Sequence, residues 1–245
     1  MKPIAIIPAR YASTRFPGKP LVSILGKPMV QHVYERCLNV FELVVVATDD
    51  ERIEKAVKNF GGQVVMTSPN HPSGTDRCAE AAQILASVRD FDIVVNVQGD
   101  EPFIRKEHLK LVLSCFDDQE TEIATLITPI TSHEILFDPN KVKTVQSTSN
   151  FALYFSRQPI PFQRDIDRQQ WLKNHDYFLH LGLYAYRTKV LTALAKLKQT
   201  PLEKAERLEQ LRWLENGFKI KTAITQHTNM GVDTPNDLKQ FDNCI

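Results

Sequence analysis

The sequence has no apolar run approaching the roughly 20 residues that a membrane span requires. It has almost no excess of charge either. Its 30 Lys and Arg against 29 Asp and Glu leave +1, so no general attraction to nucleic acid or an anionic bilayer is expected. Cysteine is scarce: Cys37, Cys78, Cys115 and Cys244 lie far apart, without a Cys-x-x-Cys spacing. They read as reduced, buried thiols of a cytoplasmic protein, neither zinc ligands nor a disulfide framework. No Gly-x-Gly-x-x-Gly follows the first strand, which argues against a dinucleotide-binding dehydrogenase. No Walker A loop is present, which argues against a P-loop ATPase or kinase. A Gly-x-Ser-x-Gly elbow and a zinc-type histidine cluster are missing too. Met1-Lys2-Pro3 runs directly into a strand, leaving no room for a signal peptide.

What the 245 residues do contain is enough apolar material for one large domain without staples, or one domain with a small appendage. The first half alternates strands and helices. Strands are expected at Ile4–Ile7, Leu43–Thr48, Gln63–Thr67 and Asp92–Val97, and helices near 28–39, 51–59, 75–87 and 106–116. The strands are continuous apolar runs, as in a parallel sheet covered on both faces. The second half is more mixed, with strands near 122–129, 141–146, 152–156, 179–186 and 219–225 and a polar stretch at Gln163–Asp176. Thr200-Pro201 with Glu203 reads as a capping box opening a helix, and Thr234-Pro235-Asn236-Asp237 repeats that signal.

The loop from Pro8 to Pro20 carries Arg10, Arg15 and Lys19, no acid and three prolines. A stiff basic loop leaving the carboxyl end of a strand is where an α/β protein takes a phosphorylated ligand, although a solvated loop would also be basic. Asp100, in Gln98-Gly99-Asp100-Glu101-Pro102, follows a wholly apolar strand. It is placed to hold a hard cation, of which Mg²⁺ commonly uses one or two carboxylates, and Gly99 would let the backbone approach a ligand; a plain turn uses Gly-Asp equally well. Asp233 offers a second carboxylate, or merely a neighbour of a helix cap. Ser73-Gly74-Thr75 suits recognition of a base or ribose and suits simple capping equally, with Arg77 one turn inside the helix. Arg157, with His180 and Tyr184 on one face of a strand, would suit a sugar acid; a lone strand histidine is also ordinary structural material. Glu209 and Gln210 look like the polar stripe of an amphipathic helix. Together, a polyphosphate loop and two carboxylates are minimum equipment for metal-assisted phosphoryl or nucleotidyl transfer.

These motifs in this order closely resemble the CMP-Kdo synthetase family, the 3-deoxy-manno-octulosonate (Kdo) cytidylyltransferases, over essentially the whole chain. They are Pro8-Ala9-Arg10-Tyr11, Pro17-Gly18-Lys19-Pro20, Ser73-Gly74-Thr75-Asp76-Arg77, Asn96-Val97-Gln98-Gly99-Asp100-Glu101-Pro102, Tyr154-Phe155-Ser156-Arg157, His180-Leu181-Gly182, Leu208-Glu209-Gln210-Leu211-Arg212 and Gly231-Val232-Asp233-Thr234-Pro235. The resemblance implies a nucleotidyltransferase-type, Rossmann-like α/β fold: a mixed, mainly parallel sheet flanked by helices, with a smaller sugar-binding and dimerisation lobe. It implies one domain, 1–245, with 1–120 and 225–245 on the nucleotide and 121–224 on the sugar and the dimer contact. It also implies a cytoplasmic homodimer that binds neither nucleic acid nor membrane and makes CMP-Kdo and diphosphate from CTP and Kdo for lipopolysaccharide synthesis. Arg10, Arg15 and Lys19 would bind the triphosphate, with Lys19 and Arg15 catalytic. Ser73, Gly74 and Thr75 would lie near cytidine, and Asp100 and Asp233 would hold Mg²⁺. Arg77, Gln98, Arg157, His180, Tyr184, Glu209 and Gln210 would surround Kdo. Phe16, where leucine is common, and the bulky Trp213-Leu214 alter no ligand, and Glu101 leans toward Kdo over its 8-amino analogue. A nucleotide-sugar sensor of the same fold without catalysis is the competing reading.

Overall fold

The structure, a computed structural model, describes residues 1–12, 16–228, 231–232 and 234–240. Along the chain run β1 (Pro3–Ala9), β2 (Ser23–Ile24), β3 (Lys27–Pro28), α1 (Met29–Cys37), β4 (Val44–Thr48), α2 (Glu51–Asn59), β5 (Gln63–Met66), α3 (Gly74–Ala86), β6 (Ile93–Asn96) and α4 (Lys106–Ser114). There follow β7 (Ile123–Pro129), α5 (His133–Phe137), β8 (Lys143–Gln146), β9 (Ala152–Ser156), α6 (Trp171–Asn174), β10 (Phe178–Arg187), α7 (Thr188–Leu194), α8 (Pro201–Glu206), α9 (Glu209–Glu215) and β11 (Ile220–Ile224). The chain divides into two compact units, one of Met1–Lys110, Ala185–Ala195 and Asn229–Ile245, the other of Leu111–Tyr184 and Lys196–Thr228.

In the first unit β6, β1, β4 and β5 lie side by side, every pair parallel. All five residues of β4 are buried. Both faces of that strand are therefore covered, and this is why its sequence is an unbroken apolar run instead of an alternation. Burying each Ile or Val of β1 and β4 contributes about 1.5–3 kcal/mol. The register sets Ala9 beside Thr48 and Ile6 beside Asn96, so the segments after β1, β4 and β6 emerge at one end of the sheet. α2 is capped by Asp50, whose carboxylate accepts from the Arg52 N–H at 2.9 Å. The chain's last described stretch returns to this unit: Val232 is buried with Ile24 and Met29, and Phe16, Phe103 and Leu238 pack against them.

In the second unit β11 runs parallel to β7, while β8 pairs antiparallel with β9 and with β10. Ile130, Leu136, Trp171 and Tyr177 form a core cluster. They also order the polar stretch at Gln163–Asp176. Trp171 Nε1 donates to the Ile166 carbonyl at 3.1 Å and the Tyr177 hydroxyl to that of Pro161 at 2.8 Å. Mainly parallel pairing with flanking helices is the expected nucleotidyltransferase-like α/β fold.

Two local expectations fail. Pro201 does start α8, but the Thr200 hydroxyl makes no cap bond. Glu203 turns instead to Arg212, at 2.6 and 2.8 Å, because a buried guanidinium outbids an N–H that the first turn leaves open. After Thr234 the chain forms a 3₁₀ turn, Pro235–Gln240, not an α-helix; Asp237 reaches back to the Thr234 N–H at 2.7 Å. Of the four cysteines, Cys37, Cys78 and Cys115 are buried thiols, as expected, and Cys244 lies outside the described residues.

Candidate active site

The first unit holds a cleft of about 240 Å³ at the carboxyl end of its parallel strands, lined in part by Arg10, Lys19, Ser73, Arg77, Gln98 and Asp100. Open parallel sheets bind ligands at this end. Three cations line it, and among the described residues Asp100 is the one carboxylate that does. Lys19 sits at the centre of the polar contacts. Its ammonium donates to Asp100 Oδ2 at 2.7 Å and to the Val232 carbonyl at 2.9 Å. The Val232 N–H in turn donates to the Asp100 carbonyl at 2.9 Å. A basic loop, the end of β6 and the C-terminal segment are thereby tied at one point, bridging up to 213 positions of sequence. Arg15 and Asp233 lie outside the described residues.

Glycine at 74 and 99 is explained by packing. A Cβ at Gly74 would meet Pro8 Cγ at 3.3 Å, and one at Gly99 would meet the Pro8 carbonyl at 3.1 Å. The end of β1 is wedged between them, so Gly99 lets two protein segments approach each other where the sequence suggested approach to a ligand. The Ser73 hydroxyl caps α3, accepting from the Asp76 N–H at 3.2 Å and donating to the Asp76 carboxylate at 2.6 Å. Thr75 is buried and does not line the cleft. Arg77 does, fastened by Thr67 Oγ1 at 2.7 Å and by Asp49 at 3.2 Å. Gln98 Nε2 reaches Asn96 Oδ1 at 3.5 Å.

No group of three or more His, Cys, Asp or Glu among the described residues could hold a metal. A magnesium ion does not require one: it commonly takes one or two carboxylates and completes its octahedron with substrate phosphates and water. Asp100, a hard-oxygen donor with its side chain 35% exposed, fits that demand.

The second unit gathers the other expected residues. His180 lies against Phe155, with ring centroids 5.1 Å apart, and Tyr184, at 5.3 Å; Tyr184 meets Trp213 edge-on at 5.0 Å. Thr125 Oγ1 lies 3.1 Å from His180 Nε2. Burial, and then the nearby Glu209 carboxylate, push the Tyr184 phenol well above its ordinary range. Gln210 is buried in the first turn of α9. Arg157 is partly engaged by the main chain. Its fork donates to three main-chain carbonyls, Glu206 at 2.6 Å, Pro139 at 2.9 Å and Arg207 at 3.3 Å. Residues missed in the sequence are Thr125, Glu206 and Arg212, none of which carries a local signal.

Loss of water pushes the His180 imidazole down to about 3 from its ordinary 6.5. The ring is neutral at physiological pH and serves as a hydrogen-bonding group, not as a cation for a carboxylate. Below about pH 6.5 the unfolded chain takes up a proton that the folded chain refuses, so stability falls as pH drops from there toward 3. Urea unfolding at pH 7 and pH 5 is expected to show a larger acid loss for the parent than for His180→Gln. Identical losses would mean the ring titrates normally.

Residues 4–220 match the profile of a family described as Cytidylyltransferase. The 3-deoxy-manno-octulosonate cytidylyltransferase of Bacteroides thetaiotaomicron is 56% identical over 242 residues, covering 98% of this chain and 96% of that protein. That of Parabacteroides distasonis is 54% identical over 244 residues, with 98% and 96% covered. A solved structure of CMP:2-keto-3-deoxy-manno-octonic acid synthetase complexed with CTP superposes with a TM-score of 0.88 at 44% identity, over 98% of this chain and 96% of that one. A cationic cleft at the carboxyl ends of parallel strands, on a chain more than half identical to such enzymes along nearly its whole length, places it in one group: it belongs to the family of 3-deoxy-manno-octulosonate cytidylyltransferases.

Proposed function

We propose that this protein is an enzyme that activates Kdo for lipopolysaccharide synthesis, converting CTP and Kdo into CMP-Kdo and diphosphate. The observation that carries the reading is the junction of Lys19, Asp100 and Val232 in a cleft that Arg10 and Arg77 also line. The anomeric hydroxyl of Kdo attacks the α-phosphorus of CTP in line, and diphosphate leaves. Arg10, Arg15 and Lys19 hold the triphosphate and offset the charge that grows on the leaving group. Ser73, Gly74 and Thr75 shape the surroundings of the cytidine, Ser73 through the cap it provides to α3. Asp100 and Asp233 would hold Mg²⁺, which when bound polarises a phosphoryl oxygen and lowers the pKa of the attacking hydroxyl. Arg77, Gln98, His180, Tyr184, Glu209 and Gln210 select the sugar acid, with neutral His180 and Tyr184 bonding hydroxyls. Arg157 keeps two of its five N–H groups for the carboxylate after its three main-chain bonds.

The test is diphosphate release from CTP in Mg²⁺ buffer with and without Kdo. Release that requires Kdo is expected. Release without any sugar would make the protein a hydrolase, and none with Kdo, its 8-amino analogue or neuraminate would leave a sensor.

The working form is a cytoplasmic homodimer. The buried thiols Cys37, Cys78 and Cys115 suit a reducing compartment, and no described helix is long and apolar enough to cross a membrane. Dimerisation is supported by large apolar side chains that the second unit leaves in water, Leu153 at 62% and Phe162 at 71% exposure. Light scattering is expected to report twice the chain mass and to shift toward one chain in Leu153→Glu/Phe162→Glu; a monomeric parent would end that part of the reading.

A further inference from the structure

The turn between α8 and α9 holds a residue outside its ordinary backbone range. Arg207, which follows the last residue of α8, has φ +53° and ψ +48°. Glycine occupies this left-handed region freely; other residues stay there only when held. The holding contacts converge on Glu206. Its carboxylate accepts from Ser156 Oγ at 2.7 Å and from the Arg157 main-chain N–H at 2.9 Å. Its carbonyl, and that of Arg207, accept from the Arg157 guanidinium at 2.6 and 3.3 Å. Both carbonyls of the turn and the Glu206 side chain are thus fastened to the end of β9. Two residues beyond Arg207, α9 begins with Glu209 and Gln210. The buried Glu203–Arg212 pair and the Leu202 N–H, which donates to the Glu215 carboxylate at 3.1 Å, join the two helices further along, and the turn sets how α9 starts.

We infer that Glu206 is a positioning residue for sugar recognition: it holds the left-handed turn at Arg207 and thereby the direction in which α9 presents Glu209 and Gln210. This rests on the reading of α9 as sugar-contacting. Glu206 itself touches no substrate in this account. Its bonds to β9 serve to keep a strained backbone in a state it would otherwise leave, and the loss of that state moves the two side chains that follow.

The test uses the full chain and separate KM values for Kdo and CTP in Glu206→Ala, Glu206→Gln, Glu206→Ala/Arg207→Gly and Glu209→Ala. Glu206→Ala is expected to raise the Kdo KM about tenfold with the CTP KM within about twofold of the parent. Glu206→Gln, which keeps one acceptor oxygen, is expected to fall between them. Adding Arg207→Gly is expected to recover part of the Kdo KM, because glycine adopts the turn without being held. A merely structural role would lower the melting temperature and the active fraction and leave both KM values alone. An unchanged Kdo KM in Glu206→Ala beside a raised one in Glu209→Ala would overturn the positioning role. An unchanged Kdo KM in Glu209→Ala as well would remove the sugar-contacting reading of α9 and the inference with it. Should Glu206→Ala fail to fold, Glu206→Gln and Ser156→Ala are read on the same two constants, and flat values in both overturn the role.

Discussion

Asp100→Ala is expected to lower the kcat for CMP-Kdo formation by well over ~100-fold while weakening CTP binding far less. Among the described residues Asp100 is the carboxylate of the cleft, and its Oδ2 receives the Lys19 ammonium at 2.7 Å. Removing it takes away the proposed metal donor and also an anchor that orients Lys19. Another anchor, the Val232 carbonyl at 2.9 Å, remains. Lys19 and Arg10 can still meet a triphosphate, so the nucleotide still binds, and what disappears is stabilisation specific to the transition state. Asp100→Asn separates charge from shape. It keeps an acceptor for Lys19 but offers a poor donor to a hard cation, and is expected to be nearly as inactive. Steady-state kinetics beside calorimetric CTP titration checks both variants. Near-normal turnover would remove Asp100 from the chemistry, and equal losses in turnover and CTP affinity would reduce it to a binding residue.

Arg212→Ala is expected to cost about 3–5 kcal/mol of stability, the largest single loss among these substitutions. Arg212 and Glu203 are 5% and 6% exposed and form a two-pronged pair at 2.6 and 2.8 Å. Arg212 also donates to the Leu197 carbonyl at 3.2 Å. Deleting the guanidinium strands a carboxylate away from water, and that uncompensated charge, more than the lost attraction, sets the size of the effect. Replacing both partners, as Glu203→Leu/Arg212→Met, is therefore expected to recover most of the loss. Guanidinium unfolding followed by fluorescence of Trp171 and Trp213 measures it. A loss under ~1 kcal/mol for Arg212→Ala would show that the pair is hydrated in solution.

Elements with strong local signals were legible. α2 spans Glu51–Asn59, as expected, and β4 matches its continuous run to within one residue. Short pieces such as β2, β3, α5 and α7 were not foreseen, since two to seven residues carry too little periodicity to separate from a loop. The capping box at Thr200 misled for a related reason. The Thr-x-x-Glu pattern describes only what is near in sequence, whereas Glu203 is claimed by Arg212 from the next helix. Arg157 shows the same limit: residue type predicts a fork for an anion, and only the folded chain shows that carbonyls some 18 and 50 positions away take part of it.

By itself the sequence determined the α/β fold class, because local hydrophobic pattern writes strands and helices, and its ordered motifs resemble those of a nucleotidyl-transfer family. Tertiary structure alone decided which polar groups are already engaged. It brought Val232 back to Lys19 and Asp100, wedged the end of β1 between Gly74 and Gly99, and tied Arg207 into a left-handed turn. Those outcomes depend on which donor and acceptor meet in space, and a side chain's partner is set by the packing of the whole unit rather than by its neighbours along the chain.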